Sequence, residues 1–170
     1  MRLSSKIAYS ALIGAAYAAL SLALQPISFG PVQLRLSEAL CVLPYFFPFA
    51  APGLFTGCFI ANFLGTGNIL DMVFGSLATL AAAFLTSKCK SRFLAPLPPV
   101  LINAVVVGIV IAYSASPANL LMTSLIYGGQ IFVSQAIVCY GLGLPLLGYL
   151  DRHKASIMGC LGLTNSGRSQ

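Results

Sequence analysis

The sequence predicts an all-α integral membrane protein that folds as a six-helix transmembrane bundle with both termini in the cytoplasm. Of the 170 residues, 58% are hydrophobic and only 7% are charged, whereas soluble domains carry about 25% charged residues. The mean hydropathy is +0.93, and a chain of 17.8 kDa cannot bury that much apolar surface in one core. A soluble globular domain and a disordered chain are therefore excluded. We expect one membrane domain at residues 1–154, followed by a short tail at 155–170.

Basic residues cluster at three places and set the number of crossings. The first cluster is at the N-terminus, the second occupies residues 88–92 and the third occupies residues 152–168. Basic clusters beside spans stay in the cytoplasm, so an even number of crossings must separate them. Residues 93–150 have room for two helices and residues 7–87 for four short ones, since one span takes about 20 residues. The net charge of +6 is therefore explained by basic residues that fix the orientation of the chain in the membrane, and not by nucleic-acid binding.

Glycine and proline residues predict where these helices end. The first span stops before Pro26, an outer loop occupies residues 26–34, and Pro145 is tolerated near the inner end of the last span. The second and third spans are too short for a full bilayer, so we expect them to be tilted or half-buried in the bundle. The six predicted spans are about 7–25, 35–47, 52–65, 69–87, 99–114 and 121–150.

Three ionisable residues, Arg35, Glu38 and Asp71, lie away from the basic clusters, near the outer ends of the second and fourth spans. A charge at membrane depth costs at least about 2.5–3.5 kcal/mol on insertion scales, so it usually serves a purpose. Arg35 and Glu38 are three residues apart on one helix face, where they could form a structural ion pair or a ligand site open to the outside. Asp71 could be an N-cap of the fourth span or a member of the same site.

Neutral polar residues point to the same depth. Near the outer ends of their spans lie Asn62, Asn68, Tyr127, Gln130 and Gln135. Asn103 lies closer to the inside, and Gln33 lies beside the 26–34 loop. Each of these alone is more often an interhelical hydrogen-bonding residue than a ligand contact, but together they predict a pocket with that loop as a lid. The candidate substrate-binding residues are Gln33, Arg35, Glu38, Asn62, Asp71, Asn103, Tyr127 and Gln130.

A stripe of small residues follows the first span. Ala8, Ala11, Ala15 and Ala19 are spaced by three, four and four residues, which places them on one helix face. Such a stripe lets another helix approach closely. It could pack inside the bundle or dock a separate membrane subunit.

The chain carries few groups suited to catalysis or metal binding. Its five cysteines form no CxxC pair and it has one histidine, so no zinc site is expected. No GxxxxGK[ST], HExxH or GxSxG motif occurs. The sequence therefore predicts a protein that is not an enzyme, carries no ATPase motif of its own, and keeps its cysteines as reduced thiols that pack as small apolar residues.

Three segments carry a resemblance to a known family: VQLRLSEALCVLPYF (32–46), GLFTGCFIANFLGTGNILDMVFGSLATLAAA (53–83) and PVLINAVVVG (99–108). The blocks R-x-SEAL-x-x-LP and N-F-L-G-x-G-x-x-x-D-x-x-x-G-S-L are specific in combination. With these features the chain resembles the QueT family over most of residues 1–150. That family comprises substrate-binding (S) components of energy-coupling factor (ECF) transporters, assigned to the uptake of queuosine precursors.

The resemblance implies a six-helix S component that captures a 7-deazaguanine ligand, such as pre-queuosine or queuine, from outside the plasma membrane. Transport would then require a membrane coupling subunit and two ATPase subunits that hydrolyse ATP, with no cofactor in this chain. The alanine stripe is similar to the small-residue motif with which S components contact the coupling subunit.

The chemistry of such a ligand suits the candidate residues. A guanine-like edge offers N–H donors to a carboxylate and a carbonyl to an Arg, Asn or Gln donor. We expect Glu38 or Asp71 to accept from this edge and the other carboxylate to face a ligand ammonium. One arginine and two acids leave a formal charge of −1 in the site, which the aminomethyl form of pre-queuosine would neutralise.

Three other functions compete with this one. The chain could be an S component for another vitamin, such as riboflavin or a thiamine precursor, although the acid-rich polar set suits a donor-rich base better than a carboxylated ligand. It could be a membrane enzyme, but the lone His153 lies at the cytoplasmic end among other charges. It could be a stand-alone carrier or small channel, which an internal inverted repeat would support, and the sequence shows no such repeat.

Overall fold

Every regular element is helical in the part of the chain that the computed structural model describes, residues 2–30 and 33–153. The α-helices are α1 (Leu3–Ala23), α2 (Gln25–Ser28), α3 (Ala51–Gly65), α4 (Ser76–Ser87), α5 (Leu97–Ala115), α6 (Leu120–Val138) and α7 (Leu144–Arg152). The other elements are 3₁₀ helices at Leu36–Tyr45, Pro48–Ala50 and Pro117–Asn119, and π segments at Asp71–Gly75 and Cys139–Gly143. The all-α prediction is confirmed for this part of the chain, while the predicted tail at 155–170 lies outside the described residues.

Within the described residues, four helical stretches are long and apolar enough to cross a membrane: Leu3–Ala23, Pro48–Gly65, Leu97–Ala115 and Pro117–Arg152. Two shorter apolar helices, Leu36–Tyr45 and Asp71–Ser87, lie where the second and fourth spans were predicted. Large apolar side chains are exposed all around the bundle, for example Leu121 at 76%. In a water-soluble protein of this size such a surface would aggregate, so it is suited to lipid.

The second predicted span is not an α-helix. Leu36–Tyr45 is a ten-residue 3₁₀ helix that contains Pro44, although 3₁₀ runs longer than three or four residues are uncommon. The 3₁₀ rise of about 2.0 Å per residue carries the chain about 20 Å, against about 15 Å for an α-helix of the same length. Tight packing on several sides holds this stretched element, and seven of its ten residues are buried.

The last predicted span is also not one uninterrupted α-helix. The π segment Cys139–Gly143 separates α6 from α7, and Pro145 lies in the first turn of α7. Proline is tolerated in membrane helices where a local π adjustment accommodates the lost backbone hydrogen bond, and the π segment directly precedes Pro145 here. The sequence pattern showed one apolar run, since a π segment does not interrupt hydrophobicity.

The predicted outer loop at 26–34 is partly helical. Gln25–Ser28 forms the single turn α2, and Gln25 Nε2 donates to the Gly65 carbonyl at 3.3 Å. The ring of Phe29 fills the space beside Gly65, where a Cβ would meet it. The segment therefore lies against the C-terminal end of α3. Residues 31–32 of this loop lie outside the described residues.

Helices α1 and α3 run parallel and touch through glycines. A Cβ on Gly53 would meet the Ser10 carbonyl, and a Cβ on Gly57 would meet the Gly14 carbonyl. Because both helices run in the same direction, the chain must return to the starting side before α3 begins. The 3₁₀ helix Leu36–Tyr45, which lies between them in the sequence, makes this return. Glycine is required at this crossing because no side chain fits between the two backbones.

The next helices continue the alternation of direction. Asn62 Nδ2 donates to the Asp71 carbonyl at 2.9 Å, and the Thr79 hydroxyl lies 3.4 Å from Cys58 Sγ. These contacts make α3 antiparallel to the unit formed by the first π segment and α4. Helices α5 and α6 form a hairpin in which a Cβ on Gly108 would lie 2.8 Å from the Gly128 Cα.

The largest buried cluster lies between α1, the 3₁₀ helix and α3. It contains Tyr17, Cys41, Leu54, Cys58, Ala61 and Ala83. Cys41, Cys58 and Cys139 are free and buried, and Cys89 is free and half-buried. Cys160 lies outside the described residues. The thiols are free, as the sequence predicted. The buried ones are not packed only as small apolar groups, because Cys41 and Cys139 donate to oxygen atoms and Cys58 accepts from Asn62 and Thr79.

Candidate functional site

One internal cavity collects five of the fourteen buried polar side chains among the described residues. It lies between the 3₁₀ helix, the first π segment with α4, α5 and α6. Its volume is about 10 Å³, which is room for about one water molecule. Its lining residues are Gln33, Arg35, Glu38, Gly75, Thr79, Asn103, Val107, Ile131 and Gln135.

Glu38 is held in this cavity by α1 and by its own helix. The Tyr17 hydroxyl donates to Glu38 Oε1 at 2.6 Å, and the Cys41 thiol donates to Oε2 at 3.0 Å. Glu38 is only 1% exposed and Tyr17 is fully buried. Each carboxylate oxygen therefore has a donor from the protein. The neighbouring hydroxyl pair Ser21–Ser37, at 2.6 Å, fixes the same crossing of α1 and the 3₁₀ helix.

Arg35 is tied to the segment that precedes it. Its Nε donates to the Ser28 carbonyl at 3.4 Å, and its Nη2 donates to Gln33 Oε1 at 3.2 Å. Its guanidinium carbon lies 4.9 Å from the centre of the Phe29 ring. Arg35 thereby anchors residues 25–30 and 33–34, which we call the cap segment. Gln33 takes a left-handed backbone conformation with φ of 51°, which is uncommon for a residue other than glycine.

The predicted ion pair between Arg35 and Glu38 does not form, although the structure describes both residues. Arg35 precedes the first turn of the 3₁₀ helix and has an extended backbone. The rule that residues three apart share a helix face applies only when both belong to the helix. The two side chains reach the cavity from different directions and take different partners.

The capping role considered for Asp71 belongs to Asn68. Asn68 Oδ1 accepts from the Leu70 amide at 2.9 Å, and Asp71 begins the π segment without a side-chain cap bond. The Asp71 carboxylate accepts no hydrogen bond from any described residue and is 7% exposed. It lies close enough to Arg35 for the two charges to attract each other, but it is not part of the cavity wall.

The other candidates are distributed unevenly around the cavity. Gln33 and Asn103 both line it. Asn62 is buried, and its amide is committed to the Asp71 carbonyl. Tyr127 and Gln130 are half-buried on α6 and do not line the cavity.

Sequence reasoning missed Tyr17 and Thr79. Tyr17 belongs to a buried row on α1 that also contains Ser10, Gly14 and Ser21. This row has the helical spacing of four, three and four residues, and its polar members were a signal that could have been read. Thr79 had no such signal, because a threonine within an apolar helix usually bonds to its own backbone. It does so here with the Gly75 carbonyl at 3.1 Å.

The predicted alanine stripe lies on the outer surface of the bundle. Ala8, Ala11, Ala15 and Ala19 are all exposed, because α1 turns its opposite face toward α3 and the 3₁₀ helix. Internal packing therefore does not explain the stripe. A groove of about 380 Å³ runs beside it between α1 and α3, with Ala11 and Thr56 in its wall.

The described residues contain no group of three or more His, Cys, Asp or Glu side chains placed to hold a metal ion. The cavity offers instead one cation, one carboxylate, one hydroxyl and three carboxamides, next to the apolar side chains of Val107 and Ile131. Such a set offers hydrogen-bond donors and acceptors beside apolar surface, which is the usual composition of small-molecule sites.

Comparison with known proteins identifies the family. No curated protein and no solved structure matches the chain. The family model described as QueT transporter matches residues 7–152, which is most of the chain and includes the whole cavity. This match, together with the apolar helices that can cross a membrane, makes the protein a membrane transporter component. The chain belongs to the QueT transporter family.

Proposed function

We propose that this protein is the substrate-binding (S) component of an ECF importer in the plasma membrane, and that it captures a 7-deazaguanine precursor of queuosine from outside. The observation that carries the proposal is the convergence of Arg35, Glu38, Gln33 and Asn103 on one internal cavity. Buried charges and amides are costly in a membrane protein and usually mark a substrate path or site. The protein itself is not an enzyme, and its partner subunits hydrolyse ATP.

Six crossings with both termini inside fit the observed packing. Helices α1 and α3 are parallel, so the chain must return between them through Leu36–Tyr45. The two short helices are then also crossings, and the four longer ones complete the count. Leu36–Tyr45 is largely buried within the bundle, whereas Asp71–Ser87 exposes large apolar side chains such as Phe84 on one face. This arrangement places the cap segment at the outer side and the basic residues 88–92 at the inner side.

The cavity must widen to admit the substrate. Its volume of about 10 Å³ is far below the roughly 300–1,000 Å³ of ordinary ligand pockets. We propose that the cap segment moves. Arg35 joins it to the cavity wall through two side-chain hydrogen bonds, and these can break without unfolding a helix. Displacing it would free the Arg35 guanidinium and the Gln33 amide for the ligand.

The two carboxylates differ in their freedom to meet a ligand. Glu38 is already bonded to Tyr17 and Cys41, whereas Asp71 accepts no hydrogen bond from the described residues. Asp71 lies outside the wall of the closed cavity but near Arg35. In a widened site that includes Asp71, this carboxylate is the better partner for the ammonium group of an aminomethyl precursor. Glu38 contributes negative charge inside the cavity and can accept one further N–H bond on each oxygen.

The exposed alanine face of α1 is the proposed contact for the membrane coupling subunit. Small side chains let a foreign helix come close, and contact at close range is the main attraction between helices in lipid. The inward face of α1 is occupied by α3 and the 3₁₀ helix, so the alanines remain free for a partner. Two ATPase subunits would join through that coupling subunit.

A ligand-binding panel on the purified protein tests the proposal. Calorimetry would compare the aminomethyl and nitrile precursors of queuosine with riboflavin and thiamine. We expect binding of the 7-deazaguanines alone. Binding of riboflavin or thiamine in their place would make the protein an S component for another vitamin. Uptake by the chain alone, without ATPase subunits, would make it a stand-alone carrier.

A further inference from the structure

Asn103 carries a buried carboxamide with no partner. It lies on α5, is 2% exposed and lines the cavity. Its Oδ1 atom is fully enclosed and accepts no hydrogen bond from the protein, and its Nδ2 donates to no described residue. A buried amide rarely remains unpaired in a folded protein. The group is therefore matched by whatever occupies the cavity.

The other polar side chains of the cavity already have protein partners. Glu38 accepts from Tyr17 and Cys41, and Arg35 donates to Gln33 and to the Ser28 carbonyl. Among the polar side chains of the cavity wall, only the amides of Asn103 and Gln135 lack a short hydrogen bond to a described residue.

Gln135, on the neighbouring helix α6, is the second of these amides. It is 4% exposed, and its Oε1 receives only a long 3.6 Å contact from the Cys139 thiol. The walls beside Asn103 are apolar or bare. Val107 lies one turn further along α5, Ile131 faces it from α6, and Gly75 contributes no side chain. Once the cavity has widened, a flat ring can enter between these walls edge first.

We propose that Asn103 recognises a lactam edge, in which a ring carbonyl stands next to a ring N–H. Asn103 Oδ1 accepts from the ring N–H, and Asn103 Nδ2 donates to the ring carbonyl. A carboxamide and a lactam each present one donor and one acceptor side by side, so they form two parallel hydrogen bonds, as asparagine does with a base edge. The inference rests on the proposed function, since a 7-deazaguanine carries this lactam in its six-membered ring. It assigns the reading of that edge to Asn103 and not to a carboxylate.

The test compares two ligands that differ only at that edge. The probes are 7-deazaguanine and 2-amino-7-deazapurine, which lacks the ring carbonyl and the adjacent N–H. Wild-type protein should bind 7-deazaguanine about ten- to a hundredfold more tightly, as expected for a lost bidentate pair. The Asn103→Leu variant, which keeps the branched shape and the number of heavy atoms but removes both polar atoms, should lose that preference. Its affinity for 2-amino-7-deazapurine should stay close to that of wild type.

Asn119→Leu is the matched control, because Asn119 is exposed in the turn between α5 and α6 and should leave both affinities unchanged. Equal loss of both ligands in Asn103→Leu would overturn the proposal and make Asn103 a packing residue. Unchanged binding would also overturn it and would leave a water molecule as the only partner of the amide.

If Asn103→Leu does not fold, the test rests on the wild-type affinities for 7-deazaguanine and 2-amino-7-deazapurine. Equal affinities would overturn the inference and leave the proposed function intact. Failure of wild type to bind any 7-deazaguanine would remove the proposed function and this inference together.

Discussion

Tyr17 and Glu38 form a short side-chain hydrogen bond between α1 and the 3₁₀ helix, at 2.6 Å, and both residues are buried. Removing the phenolic hydroxyl leaves a buried carboxylate oxygen without its donor. The cost of such an unpaired group is about 1–3 kcal/mol. We therefore expect Tyr17→Phe to lower the unfolding temperature of the detergent-purified protein.

Tyr9→Phe is the control for this experiment. Tyr9 lies on the same helix, is half-buried and has no hydrogen-bond partner among the described residues. Its substitution should leave the unfolding temperature unchanged. If Tyr17→Phe and Tyr9→Phe changed the unfolding temperature equally, the hydrogen bond from Tyr17 to Glu38 would make no specific contribution to stability.

The two carboxylates can be distinguished with two ligands of different charge. Asp71→Asn should weaken binding of the aminomethyl precursor more than binding of the uncharged nitrile precursor, because only the first carries an ammonium. Glu38→Gln should weaken both alike, by about ten- to a hundredfold, since it removes a charge-assisted bond of about 1.5–3 kcal/mol common to both. Calorimetry of both ligands on each variant measures this. Unchanged binding in both variants would exclude the cavity as the binding site.

At the scale of the element, α1 has two faces made of small residues, and they serve different purposes. The inner face meets α3 through glycine, whereas the outer face exposes Ala15. We expect Ala15→Leu to impair uptake of labelled precursor by cells that carry the whole importer. Ligand binding to the purified protein should be nearly unchanged, because the added bulk lies on the surface and away from the cavity.

Gly57→Ala, on the inner face of α1 and α3, should instead lower the stability of the protein itself. Its Cβ would meet the Gly14 carbonyl, so α1 and α3 must separate. Overpacking of this kind costs about 1–3 kcal/mol, and the unfolding temperature should fall.

If Ala15→Leu reduced stability and ligand binding as strongly as it reduced uptake, the alanine face would be part of the protein's own core.

The 3₁₀ helix shows why element type matters for the site. Each residue of a 3₁₀ helix turns the chain by about 120°, against about 100° in an α-helix. Over ten residues the difference redirects every side chain after Leu36. Glu38 consequently points at Tyr17 on α1, and Val42 packs against Gly143 of the second π segment.

At the scale of the whole molecule, the distribution of charge predicts the orientation in the membrane. A cysteine placed at Ser91 should react with an impermeant thiol reagent only after cells are permeabilised, because residues 88–92 are expected inside. The experiment needs a Cys89→Ser background. Partial burial raises the pKa of the Cys89 thiol, which lowers its thiolate fraction and slows its labelling but does not abolish it.

A cysteine at Ala118 is the matched control, since it is exposed in the connection between α5 and α6 that should face outside. It should react in intact cells. Reaction of the Ser91 cysteine from outside, with protection at Ala118, would reverse the proposed orientation.

The sequence by itself determined the class of protein and the location of its membrane helices. Apolar composition makes lipid the only solvent that such a surface tolerates, and this does not depend on how the helices pack. The cost of a charge at membrane depth singled out Arg35 and Glu38 without any knowledge of their partners. The small residues of α1 were equally visible as a helical stripe.

Only the tertiary structure decided which groups meet. It paired Glu38 with Tyr17 and not with Arg35, gave the capping role to Asn68, and brought Asn103 to the same cavity as Gln33. These outcomes depend on the local helix type and on the register between helices, and hydrophobic periodicity does not encode them. A 3₁₀ helix and two π segments rotate side chains without altering the apolar pattern, so the partners of each buried polar group follow from packing alone.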